Sequence, residues 1–296
     1  MWFWFSLIAI LFWSGSDLFA KMGSKQNDPY SHWKLVMAVG FVMGLHALFS
    51  ILTGTEFLPI DMVRYLPASA LYILSMILGY VGLRYIVLSV SSPVCNSSGA
   101  VAALLCFLFL DETMTALQLA AVCLVTAGVV MLAVVEKRMD HRIRLAEGKA
   151  EDKKYTRSFI AILLPILYCL IDGLGTFADV LLLDGYIGED SAEMAYELTF
   201  FAMAVFAFVY VVIIKKQKLV LKGERPKLIA GLCETAGQIV YIKAIAENPI
   251  VAAPMISSYC LFSLIWARVV LKEKLTRLQY AAIAVAAVGI VILGME

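Results

Sequence analysis

The sequence predicts an all-α integral membrane protein of ten transmembrane helices, laid out as two five-helix repeats of opposite orientation. Three observations lead there. The 296 residues are 62% hydrophobic and 16% charged, with a mean hydropathy of +0.87, whereas soluble domains are about 45–50% apolar and about 25% charged. Apolar runs near the length that a helix needs to cross a bilayer core, about 20 residues, recur along the chain. Part of the first half also aligns on the second at one fixed offset.

In chain order the runs span 2–22, 33–53, 66–86, 93–110 and 116–135 in the first half, and 159–183, 193–214, 226–246, 250–271 and 278–294 in the second. Hydrocarbon offers the backbone no water, so each run must satisfy its N–H and C=O groups internally, as a helix does. The first run opens Met1-Trp2-Phe3-Trp4-Phe5 without a cationic start, and no small-x-small cleavage pattern precedes Lys21. It is therefore expected to be a mature helix rather than a secretory signal. The fourth and ninth runs carry Pro93 and Pro254 beside Asn96 and Ser257-Ser258-Tyr259, where small and polar residues allow close helix approach or line a cavity. Residues 1–135 make the first repeat, 136–157 a charged cytoplasmic connector and 158–296 the second repeat. The six cysteines all lie in apolar runs without CxxC or Cys/His spacing, and are expected to be packing residues.

Moving 161 residues lays Tyr80 on Tyr241, Pro93 on Pro254, Glu112 on Glu273, Leu117-Gln118 on Leu278-Gln279 and Gly128 on Gly289. An aromatic-x-x-x-Asp pattern also occurs in both first helices, as Trp13 to Asp17 and Tyr168 to Asp172. Five crossings per repeat make the second start on the opposite face from the first, an inverted repeat common among transporters. Lys and Arg concentrate in cytoplasmic loops. With both termini non-cytoplasmic, all but Arg64 and Lys243 of the 24 Lys and Arg fall on the cytoplasmic side. The other side collects Glu56, Asp61, Asp111, Glu112, Asp184, Glu189, Asp190 and Glu193.

The repeated unit resembles the EamA module of the drug/metabolite transporter superfamily. In the first copy the resemblance rests on Gly82-Leu83-Arg84-Tyr85, Ser91-Ser92-Pro93, Leu110-Asp111-Glu112, Leu117-Gln118 and Ala127-Gly128. In the second it rests on Tyr241-Ile242-Lys243-Ala244, Pro254, Leu271-Lys272-Glu273, Leu278-Gln279 and Val288-Gly289. Asp111 and Lys272 depart from the family's pattern, which has Gly in that turn. The resemblance implies a ten-helix secondary transporter of small metabolites in the cell membrane, with a central cavity lined from both halves. It implies no particular solute.

Ionisable residues at bilayer depth cost about 2.5–3.5 kcal/mol on insertion scales, so each is a functional candidate. In the eighth run Gly231, Glu234, Gln238 and Tyr241 recur at helical spacing on one face. Tyr168, Asp172, Gly175 and Asp179 form a similar stripe in the sixth run, and Trp13 shares a face with Asp17 in the first. Carboxylates framed by aromatic rings suit an organic cation such as an amine or amino acid, with cation–π contacts worth roughly 0.5–2 kcal/mol. A carboxyl so placed can also carry a proton, and competition between the two would couple their movements. The expected substrate-binding residues are Glu234, Asp172, Tyr168, Gln238, Tyr241, Trp13, Asp17 and Tyr259. The competing reading for Glu234 is a charge pair with Lys243 or Arg268. Asp17 and Asp179 read as interfacial, as does Glu197 one turn into the seventh run, and His46 reads as a packing or hydrogen-bonding residue.

Other classes have less support. A lipid-acting enzyme would need HExxH, a Walker loop or GxSxG, none of which occurs, and only His32, His46 and His141 are available for a metal. A helical scaffold or receptor would not require carboxylates on aromatic faces. No cofactor or nucleic-acid partner is expected, and membrane lipids surround the chain.

Overall fold

The computed structural model describes residues 1–23, 28–82, 98–110, 113–146, 159–219, 221–270, 272 and 275–295. Among them the chain is helical and contains no strand. The helices are α1 (Trp2–Gly23), α2 (Ser31–Leu52), α3 (Pro59–Gly82), α4 (Ser98–Phe109), α5 (Ala116–Ala146), α6 (Phe159–Leu183), α7 (Glu189–Phe208), α8 (Leu221–Glu247), α9 (Pro249–Ile256), α10 (Tyr259–Val269) and α11 (Arg277–Met295). A π-helical stretch, Val209–Ile214, continues α7. Seven stretches are long and apolar enough to cross a membrane, and Ser98–Phe109 and Ala116–Leu132 are shorter apolar helices. The described residues thus place an all-α membrane protein without completing the expected ten spans. The Arg84, Pro93, Asn96, Asp111 and Glu273 motif positions lie outside them.

Three elements differ from expectation for identifiable reasons. Helix α3 starts at Pro59, ahead of the apolar run, because its first turn is polar: Asp61 accepts a 3.0 Å hydrogen bond from Arg64. Helix α5 continues past 135 to Ala146, since the connector begins with residues that favour helix in water as well as in lipid. The ninth run is broken at Ser257-Ser258 into α9 and α10. There Ser257 Oγ donates to Ala253 O at 3.0 Å and accepts the Gly99 N–H of α4 at 3.1 Å. The backbone bonds across the break are kept by Ser257 N–H to Ala253 O, Ser258 N–H to Met255 O and Leu261 N–H to Ser258 O, as irregular backbone at membrane depth requires.

Large apolar side chains are divided between the interior and the outer surface. Ala9, Ala47, Ala102, Ala121, Ala192, Ala204, Ala244, Ala252 and Ala282 are fully buried, while Leu45, Phe49, Leu52, Phe107, Phe206, Ile213, Val269 and Val291 stand exposed. Helices in lipid gain little from burying large apolar groups, so small residues take many of the contacts, and large ones are found both outside and, as Ile10, Met43, Ile245, Met255 and Leu261, inside.

The chain forms two compact units, Met1–Ser69 with Leu181–Glu247, and Ala70–Val180 with Asn248–Glu296. Each draws on both halves of the sequence. In the first, α8 packs on α1 and α2, and α2 packs on α7. In the second, α5 packs on α11 and α4 on α9, with α6 hydrogen-bonded to α3. A Cβ at Gly128 would stand 2.9 Å from Ala282 O and 2.8 Å from Ala286 Cβ, while one at Gly289 would stand 2.7 Å from Ala121 O and 2.8 Å from Val125 Cγ2. The offset that relates Gly128 to Gly289 also relates Ala121 to Ala282 and Val125 to Ala286. Helices α5 and α11 therefore cross antiparallel through reciprocal contacts, a local two-fold relation between equivalent helices.

Candidate functional site

Helices α1 and α8 of the first unit run antiparallel, with the Met1 ammonium 2.8 Å from Glu247 at one end and Gly23 against Pro226 and Lys227 at the other. Between these ends, Gly237 lacks the Cβ that would stand 2.4 Å from Trp13 Cδ1, which leaves room for the indole. The ring of Trp13 lies 5.0 Å from that of Tyr241, tilted by 34°. One turn away, Ser16 donates a hydrogen bond to the half-buried Glu234, and Asp17, exposed on α1, acts on that carboxyl with a second negative charge. A Cβ at Gly15 would lie 3.5 Å from Cys233 Sγ, ordinary contact distance.

Five of the eight expected residues, Trp13, Asp17, Glu234, Gln238 and Tyr241, therefore lie along one helix crossing. Gln238 is 2% exposed, and its Nε2 has no hydrogen-bond partner among the described residues. The crossing offers a carboxylate, two aromatic faces and a spare amide donor, groups that can hold an ammonium ion through charge pairing and cation–π contact. Of the two cations expected as alternative partners of Glu234, Lys243 acts on Glu193.

Asp172, Tyr168 and Tyr259 belong to the second unit. Asp172 accepts hydrogen bonds from Ser75 Oγ of α3 at 2.9 Å and from Ser98 of α4. The stripe expected on the sixth run is real, and its lower part faces α3: a Cβ at Gly175 would lie 3.2 Å from the Tyr72 ring, and Tyr72 donates to Asp179 Oδ2 at 2.7 Å. Asp179, expected at the interface, is fully buried, because the Tyr72 hydroxyl supplies a donor that one helix alone does not reveal. Tyr168 is half-buried one turn before Asp172, and half-buried Tyr259 opens α10 after the Ser257-Ser258 break.

Sequence reasoning did not find Ser16, Ser75 and Ser98 as carboxylate partners, nor Gly237 as the seat of an indole. It also did not join His46 to Glu193 and Glu197, which meet where α2 crosses α7. The usable signal was the i, i+4 spacing of the two glutamates, which puts both on one helix face.

The family model described as the EamA-like transporter family matches residues 1–134 and 159–295. Among the 28 matching chains of solved structures, one crystal structure superposes with a TM-score of 0.74 at 12% identity, covering 99% of this chain and 96% of that one. At that identity it speaks for the fold alone. No curated protein sequence matches.

Proposed function

The chain belongs to the EamA-like transporter family, and from that premise we propose that it is a secondary transporter moving a small organic cation, an amine or an amino acid, by alternating access. The observation that carries this reading is the α1–α8 crossing, where Glu234 stands beside Ser16 with Trp13, Tyr241 and the unpaired amide of Gln238 along the same seam. A carboxyl among apolar helices is stable when neutral, or when charged beside a cation. One proton and one cationic solute therefore exclude each other at Glu234, and that exclusion couples their movements. Asp172, held by Ser75 and Ser98 near Tyr168, is the second carboxyl offered for the proton. The proposal places ten helices in two repeats, 1–135 and 158–296, in the cell membrane with both termini non-cytoplasmic. The reciprocal α5–α11 contact supports the two-repeat reading.

The deciding experiment is thermal unfolding of the detergent-purified protein against amines, amino acids, nucleosides and sugars, for wild type and Glu234→Gln together. A cation at a hundred times its Kd is expected to stabilise the wild type by about 2.7 kcal/mol and to leave the variant's Tm unmoved. Stabilisation of both proteins alike by a neutral or anionic solute would discard the Glu234 site and the coupling while keeping the family.

A further inference from the structure

Helices α2 and α7 bring together a set of polar side chains that the proposed solute site leaves unused. His46 Nδ1 lies 2.8 Å from Glu197 Oε2 and 3.8 Å from Glu193 Oε1, and one donor atom from each of the three residues lies within 4.8 Å of the others. Glu197 is 0% exposed and Glu193 5%. The second oxygen of Glu197, Oε1, is buried with no hydrogen-bond partner among the described residues. The charged neighbours do not restore balance: Lys243 brings one positive charge to Glu193, and Asp190 adds another negative one. Two carboxylates buried this closely, with an acceptor left over, are costly unless a proton or a cation joins them, and the imidazole beside them makes the group a set of metal donors.

The helices are built to meet here. A Cβ at Gly40 would stand 2.3 Å from Phe200 O, and one at Gly44 would stand 2.3 Å from the Phe201 ring. These two glycines bring α2 close enough to α7 for one imidazole and two carboxyl side chains to share a single point. His46 precedes the α2 end at Leu52, and Glu193 and Glu197 follow the α7 start at Glu189, so the group lies about 6–12 Å below those helix ends at 1.5 Å per residue. His46 is 33% exposed and provides the way in.

We propose that His46, Glu193 and Glu197 bind a divalent first-row transition-metal ion of the zinc type through Nδ1 and two carboxylates, with further coordination positions open. One imidazole and two carboxylates form a nitrogen–oxygen donor set suited to zinc rather than to the oxygen-only preference of magnesium or calcium. Zinc–ligand bonds of about 2.0–2.2 Å put the donors of a tetrahedral site about 3.4 Å apart. The 2.8 and 3.8 Å separations around Nδ1 bracket that spacing, so modest side-chain rotation gathers the ligands. Ser50 Oγ lies 3.5 Å from His46 Nε2, where a ligating imidazole finds the partner that holds its other nitrogen and sets the ring's tautomer.

The test strips the full-length, detergent-purified protein of metal and titrates it with zinc chloride in a calorimeter, alongside His46→Gln, Glu197→Gln and, as a control, exposed Cys123→Ser. The wild type and the control are expected to take up one zinc ion per chain with equal affinity, and each ligand variant to bind at least tenfold more weakly. X-ray absorption of zinc on the wild type is a second measurement that does not depend on variant folding: nitrogen and oxygen neighbours with one imidazole are expected. Sulfur ligation, no saturable uptake by the wild type, or unchanged affinity in well-folded ligand variants would overturn the site.

Discussion

Three carboxyls within the helices accept hydrogen bonds from hydroxyls. Glu234 has Ser16, Asp172 has Ser75 and Ser98, and Asp179 has Tyr72. A hydroxyl donates a hydrogen bond to a carboxylate without adding charge, which leaves the carboxylate able to exchange a cation or a proton. Opposite charges are used instead at the helix ends. Asp28, between α1 and α2, accepts from Lys34 Nζ at 2.6 Å and from the Tyr30 N–H at 3.0 Å; Lys34 also lies 3.8 Å from Glu224, which pairs with Lys227. Burial pulls the Asp28 carboxyl up, but the bonds from Lys34 and Tyr30 and the charges of Lys34 and Lys227 outweigh it and hold the carboxyl below its ordinary range. A depressed folded-state pKa contributes stability above the unfolded value, and that stability is lost as pH falls through the folded value. Unfolding of wild type and Asp28→Asn should therefore show a stability advantage of the wild type near neutral pH that shrinks below about pH 4, the ordinary Asp value. A difference that stays constant from neutral pH down to well below that value would remove Asp28 from this role.

At the scale of elements, close approach is set by glycine facing backbone. The atoms nearest to a new Cβ at Gly128 and Gly289 include Ala282 O and Ala121 O, which cannot rotate away as a side-chain tip can. Gly128→Val and Gly289→Val should each destabilise the protein by about 1–3 kcal/mol, the usual cost of overpacking. Because the contacts are reciprocal, the two losses should be similar in thermal melts. One variant behaving like wild type would mean that the α5–α11 relation is not equivalent from both sides. The α9–α10 break follows a related logic. At the break Ser257 Oγ takes up the Gly99 N–H at the start of α4, so a run that reads as uninterrupted in sequence folds as two helices with a contact to a third at the junction.

For the whole molecule, sidedness is the testable consequence of the charge distribution. Arg64 and Lys243, the two cations left on the acidic side, both stand beside acids: Arg64 with Asp61 at 3.0 Å, and Lys243 near Glu193. Their placement thus does not argue against the proposed orientation. An alkaline phosphatase fused after Glu296 should be active, and a green fluorescent protein at the same point should be dark in a bacterial host. The reverse pattern would invert the topology and reassign the His46 group to the cytoplasmic face.

The sequence by itself determined the apolar spans to within a few residues for most helices, the internal offset linking Gly128 to Gly289, and the residue types on one face of α8. These are local properties, set by the length of chain that hydrocarbon demands and by the 3.6-residue turn. Only the tertiary structure decided which faces meet: Trp13 against Gly237, Ser16 beside Glu234, Tyr72 on Asp179, and His46 between two glutamates. Association in lipid is driven by close packing of small residues and by interhelical hydrogen bonds rather than by apolar periodicity. A glycine or serine in an apolar run does not reveal its partner until the helices are brought together.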